Sequence, residues 1–119
     1  MNKIHNNLTI DNLIKTDWFN QFNELQQIEI ETGIRNNVDV FKYAKKDFNY
    51  RQMEQIRKGL EDNLDVSIYA KREFSSEQME EIRLGLKSKV DVSIYAKPEY
   101  AWHKMQKIRL KLKRERKIK

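Results

Sequence analysis

Apolar residues in the middle of the chain recur with the period of a helix. Met79, Ile82, Leu86 and Val90 stand at spacings of 3, 4 and 4, and Met53, Ile56, Leu60 and Leu64 repeat that spacing. A period near 3.6 residues puts each set on one side of a helix, so both predict an amphipathic helix with one core-facing stripe. Polar residues mark where each helix begins. Ser75 with Gln78, Asn49 with Gln52 and Asn23 with Gln26 each place an N-cap three residues before a glutamine, the spacing of a capping box. Phe74 before the cap and Met79 at the fourth helical position form a hydrophobic staple.

These signals recur because the chain itself does. The heptapeptide DVSIYAK occupies residues 65–71 and again 91–97. At a shift of 26 the chain aligns with itself in four units that begin at Phe22, Phe48, Phe74 and Tyr100, with no insertion. Each unit predicts a longer helix followed by a short one. The short half begins at Asp39, Asp65 and Asp91, which are N-cap candidates. Val66, Tyr69 and Ala70 then fall on one side of a helix of one or two turns. VSIY also has strand propensity, but its unchanged repetition with Ala and Lys following favours the helix. Pro98 marks the exit, since the residue before a proline is pushed out of helical geometry.

Gly33, Gly59 and Gly85 recur on the same schedule in or near the end of the longer helix. Glycine there costs about 1 kcal/mol relative to alanine. It either admits a close neighbour, expected to be the backbone or an aromatic ring of the next unit, or marks the end of the helix. Lys111 takes this place in the fourth unit, as expected of a terminal unit. A unit of this size cannot bury its apolar face alone, so stacked neighbours supply the core. The expected fold is therefore all-α, a small α-solenoid of four tandem repeats (22–47, 48–73, 74–99 and 100–113). Segment 1–21 caps the first unit through Leu13, Trp18 and Phe19, and 114–119 forms a basic C-terminal tail. Ile56, Leu60, Tyr69, Ile82 and Leu86 are expected in the core.

Composition narrows the function classes. A chain of 119 residues is one domain's worth. It is 35% charged, and no apolar run approaches the roughly 20 residues a membrane helix needs. The N-terminus MNKIHNNLTI lacks the features of a signal peptide. Absence of cysteine excludes disulfides and thiolate metal sites and suits a reducing compartment. A cytoplasmic location is expected. The net charge of +6 is uneven: Lys104–Lys119 holds nine basic side chains against Glu115 alone, while the rest of the chain nets −2.

No catalytic residue, cofactor or metal ligand is expected. The two histidines, His5 and His103, are far apart and make no HExxH spacing. Adjacent acids such as Glu80-Glu81 and Glu61-Asp62 point in different directions on a helix and do not converge. The three glycines form no phosphate loop, and no serine sits in a GxSxG setting.

The residues that invite a partner are basic. Arg57, Arg83 and Arg109 share one position of the unit, and Lys45, Lys71 and Lys97 another. The arginines either form a ladder for an anionic partner or pair with Asp65, Asp91 or another acid of the adjoining unit, which the slightly negative body favours. Met105, Ile108 and Leu112 continue the apolar stripe, while Lys104, Lys107, Lys111 and Arg114 run along another side at spacings of 3, 4 and 3, followed by Lys117. Such a basic amphipathic helix serves nucleic acid, an acidic protein or an anionic membrane surface, or only keeps the chain soluble. Trp102 is the one candidate there for base stacking, unless it belongs to the core.

The units QMEEIRLGL (78–86) and DVSIYAKPEY (91–100) resemble the short helical repeats, of the form QMEEIRLGL and DVSIYAKPEF, found in many proteins of Firmicutes, their phages and conjugative elements. The resemblance covers residues 22 to about 113. The first copy departs, with Glu31 in place of the arginine and Phe41-Lys42 in place of Ser-Ile. The resemblance implies a mobile-element setting and supplies no activity; small proteins from such elements sometimes act as anti-defence factors, including anti-CRISPR inhibitors. The expectation is a non-catalytic binding protein with a protein partner. The alternative is binding of nucleic acid or a nucleoprotein complex through the basic C-terminal helix.

Overall fold

Each of the three capping boxes opens a helix of twelve residues in the computed structural model, which describes residues 10–118 and their side chains as far as Arg116. Two short helices, α1 (Ile10–Leu13) and α2 (Asp17–Asn20), precede α3 (Glu24–Arg35), α4 (Tyr50–Glu61), α5 (Ser76–Lys87) and α6 (Trp102–Ile118). The described residues are helical with no strand. At the start of α4, Asn49 Oδ1 accepts from the Gln52 N–H at 2.8 Å, and Gln52 Oε1 accepts from the Asn49 N–H at 2.9 Å. Asn23 with Gln26 and Ser75 with Gln78 make the same reciprocal pair, so two otherwise unpaired backbone donors are satisfied at each start.

The ends of α3, α4 and α5 are equally alike. The N–H groups of Val38, Leu64 and Val90 donate back to the carbonyls of Gly33, Gly59 and Gly85 at 3.0, 2.9 and 3.1 Å. The reversal passes through Asn37, Asn63 and Lys89, whose φ values are 61°, 59° and 62°. This is the left-handed stop that satisfies the last carbonyls of a helix. Asparagine tolerates it far better than lysine.

Beyond each reversal the chain makes one 3-10 turn, at Val40–Lys42, Val66–Ile68 and Val92–Ile94. The side chains of Asp39, Asp65 and Asp91 cap these turns, accepting from the N–H two residues on at 3.1, 3.2 and 3.1 Å. VSIY is thus a helical turn, at the short end of the expected one or two.

The tyrosine after each turn explains the glycines, and here the expectation is corrected. The close neighbour belongs to the glycine's own unit and not to the next. Tyr43, Tyr69 and Tyr95 are fully buried, and their hydroxyls donate to the carbonyls of Glu29, Gln55 and Glu81 at 2.5, 2.6 and 2.6 Å. Each of those carbonyls lies four residues before the glycine. A Cβ on Gly59 would run into the Tyr69 hydroxyl and stand 2.7 Å from Val66 Cγ1, and Gly33 and Gly85 are crowded in the same way. Glycine is what lets a tyrosine reach the helix backbone.

The core runs along one row. Ile30, Met53, Ile56, Met79, Ile82 and Met105 are buried in it with the three tyrosines, Val40, Val66, Val92, Phe48 and Phe74. Leu60 and Leu86, expected inside, are only half-buried: they sit in the last helical turn, one residue past the glycine, and cover the edge of the core. Helix α3 packs on α4, α4 on α5 and α5 on α6, in a body 52 × 30 × 16 Å across.

At the N-terminal end Leu13 and Phe19 are buried, and Trp18 packs edge-on against Phe22 and at a tilt on Phe41, with centroids 5.5 and 5.3 Å apart. Gln27 stands where the later units have Met53, Met79 and Met105. Its amide donates to the carbonyls of Phe19 and Phe22 at 3.1 and 3.0 Å, which accounts for a polar residue at an apolar position. The first nine residues of the expected cap, with His5, lie outside the described residues. Helix α6 has Lys111 at the glycine position, runs on past Lys113, the place at which its predecessors end, and includes the segment from 114 to Ile118.

Candidate interaction surface

Two polar positions of α3, α4 and α5 reach the next unit, and a third does so after α3 and α4. Gln26 and Gln52, besides closing their capping boxes, each donate through Nε2 to the carbonyl of the next unit's first aromatic residue, Phe48 at 2.8 Å and Phe74 at 2.7 Å. Gln78 does the same to Tyr100 at 2.7 Å and also to Pro98. One turn further on, Glu29, Gln55 and Glu81 accept from Nε of Arg57, Arg83 and Arg109 at 2.8, 2.9 and 2.9 Å. Near the helix end Asn36 donates to Glu61, and Asp62 pairs with Lys87 at 3.3 Å.

The arginine column is therefore internal. Arg83 and Arg109 are buried and Arg57 is half-buried, held also by Glu61 at 2.7 Å. Burial works against the charge on Arg57, but the hydrogen bonds it donates to Glu29 and Glu61 outweigh it and hold the group above the ordinary arginine value. Arg57 and Arg109 thus pair with another acid of the adjoining unit, one of the expected alternatives, and not with Asp65 or Asp91, which are spent on capping the 3-10 turns. Arg83 has a neutral amide where its two counterparts have a carboxylate. Burial likewise pushes the hydroxyls of Tyr43, Tyr69 and Tyr95 well above the ordinary tyrosine value, against the lowering effect of Arg57, Arg83 and Arg109 respectively.

The basic stripe of α6, by contrast, lies at the surface. Lys104, Lys107, Lys111 and Arg114 are all exposed, and none makes an ion pair among the described residues. Lys104 Nζ lies 3.9 Å from the centroid of the Tyr100 ring. Ile108 and Leu112 are half-buried beside the stripe, whereas Ile56 and Ile82, at the place of Ile108, are fully buried. Trp102 is at the surface, 37% exposed, and its ring stacks on His103 with centroids 4.1 Å apart. The side chain of Lys117 lies outside the described residues.

The structure thus brings Trp102, Lys104, Lys107, Lys111 and Arg114 together on one helix and separates them from Arg57, Arg83 and Arg109, which join helices. Lys45 and Lys71 are exposed and line an open groove with Lys42, Ser67 and Ala70, while Lys97 lies over Tyr100. Sequence reasoning missed the double use of Gln26, Gln52 and Gln78 and the acceptor column of Glu29, Gln55 and Glu81. Polar residues recurring at one position beside an apolar stripe were the available signal.

No helix among the described residues is long and apolar enough to cross a membrane, and no group of three or more His, Asp or Glu there could hold a metal ion. Comparison with protein-family models, with curated proteins and with solved structures finds no match for this chain.

Proposed function

We infer that the chain is a non-catalytic binding protein: three 26-residue units and a shorter fourth stacked as a short α-solenoid, with an N-terminal cap, that docks a protein partner. One observation carries this reading. The recurring Gln, Glu and Arg positions of the body are spent on joining each helix to the next, while α6 turns four cations that make no ion pair among the described residues outward along one helix. Stacked repeats present extended faces of this kind for binding. The resemblance of the units to repeats from mobile elements makes a host-defence protein, such as a CRISPR effector, the first partner to try.

The second reading, nucleic acid, draws on the exposed Trp102–His103 stack beside Lys104, since an aromatic face next to cations suits an unpaired base. A pull-down with the 119-residue chain, with and without nuclease, separates the two. A protein retained after nuclease treatment supports the first reading. Capture that vanishes with nuclease supports the second. Salt gives an independent test, because four phosphate contacts by Lys104, Lys107, Lys111 and Arg114 on a single strand would give log K against log[salt] a slope of about −2.8.

A further inference from the structure

Two positions through which α3, α4 and α5 all engage the next unit, and a third used after α3 and α4, are the ones at which α6 carries Lys104, Lys107 and Arg114. Lys104 stands where Gln26, Gln52 and Gln78 donate to a carbonyl, and a lysine can still donate. Lys107 stands where Glu29, Gln55 and Glu81 accept from an arginine, so the role is inverted and an arginine opposite would be repelled. Arg114 stands where Asn36 meets Glu61 and Asp62 meets Lys87. Of these two arrangements only the one with a glutamate opposite suits an arginine.

The geometry points to a definite occupant for this face: an acidic amphipathic helix of another protein, laid on α6 in the register by which α4 lies on α3 and α5 on α4. This rests on the reading of the chain as a protein-binding module and names the partner's chemistry. In α4, Met53, Ile56 and Leu60 belong to the apolar side, and Arg57 and Glu61 reach across to α3. The occupant of α6 keeps the apolar residues and the glutamate but needs an acid in place of the arginine. Its pattern is apolar at two places three residues apart, an acid directly after the second, then apolar and acid again three and four residues on. Ile108 and Leu112, half-buried beside the cations, supply the apolar floor that such a helix covers. A second copy of this chain fits less well. Glu31 would meet Lys107, but Arg35 would meet Arg114, and α2 already holds Gln27 where a preceding helix would pack.

The test uses the full chain and two fluorescent peptides of residues 48–64, one unchanged and one carrying Arg57→Glu. A hydrocarbon staple across positions 54 and 58, on the outward side, holds both helical, as circular dichroism checks before use. By anisotropy the chain should bind the Arg57→Glu peptide about tenfold or more tighter than the unchanged one, the low end of couplings between close interfacial charges. Lys107→Glu, an exposed change that should leave the circular dichroism spectrum unaltered, should reverse that preference. Equal binding of both peptides, or a preference that Lys107→Glu leaves in place, overturns the proposal. So does an oligonucleotide that binds α6 more tightly than either peptide and is lost in Lys107→Glu, or self-association of the chain that Lys107→Glu abolishes. A nuclease-resistant protein partner whose capture ignores Lys107→Glu would leave the binding reading standing and remove this face from it.

Discussion

Gly59→Ala sets two forces against each other with opposite signs. Helix propensity alone favours alanine inside α4 by about 1 kcal/mol. Packing opposes it: the new methyl would collide with the Tyr69 hydroxyl and stand 2.7 Å from Val66 Cγ1. Neither neighbour yields easily, because Tyr69 is fully buried and its hydroxyl is bonded to the Gln55 carbonyl at 2.6 Å. Overpacking of this kind costs about 1–3 kcal/mol, and a buried hydroxyl driven off its acceptor costs about 1–3 kcal/mol more. Set against the propensity gain, the expected outcome is a loss of about 3 kcal/mol. Urea denaturation followed by circular dichroism measures it. Tyr69→Phe provides the internal control. Alone it should cost about 1 kcal/mol, the net worth of one hydrogen bond, and combined with Gly59→Ala it should cost less than the sum, since the colliding oxygen is gone. A Gly59→Ala variant more stable than the parent would refute the reasoning.

Other outcomes follow from the same contacts. Lys89→Asn relieves a lysine held at φ 62° and copies Asn37 and Asn63, so thermal unfolding should show a gain of about 1 kcal/mol. Glu81→Gln reproduces the neutral acceptor that Gln55 gives Arg83 and should cost about 1 kcal/mol by urea denaturation, whereas Glu81→Ala leaves the buried Arg109 guanidinium without its acceptor and should cost about 3 kcal/mol. The tyrosines predict an alkaline limit. Their folded-state values are raised, so the stability they contribute is whole below the ordinary tyrosine value near 10 and falls as pH rises from there toward the folded-state values. Each contributes a slope of about 1.4 kcal/mol per pH unit; urea midpoints measured between pH 9 and 11 should fall less steeply in Tyr69→Phe.

Sequence carried the helices and their caps because those depend on neighbours three or four residues apart. The Asn23, Asn49 and Ser75 boxes, the Asp39, Asp65 and Asp91 caps and the buried Ile56 and Ile82 were all readable from local spacing. Contacts that fold back over longer distances were not. The partner of Gly59 lies ten residues on, in a tyrosine whose hydroxyl seeks a helix carbonyl, and no local pattern announces that choice. Arg57, Arg83 and Arg109 were read as a column, yet their acceptors lie 28 residues back, on a helix face whose register only the packed structure fixes. Trp102 looked as suited to the core as to the surface, because an aromatic at a helix start carries no sign of which side it takes. The cations of α6 were picked out by charge, but their correspondence with the joining positions of the earlier helices needed those joints to be seen.

Duplicating residues 74–99 between the third and fourth units asks whether the units truly stack by one repeated joint. The inserted copy brings Gln78, Glu81, Arg83, Gly85 and Tyr95 in register for the same contacts on both sides. A stack built from nearest-neighbour joints gains one more unit and one more interface, so its stability should rise. The account predicts a monomeric chain with a single cooperative urea transition, a higher midpoint and a larger denaturant slope, in step with the added buried surface. An insertion that unfolds at lower urea, or that splits the transition in two, would contradict it.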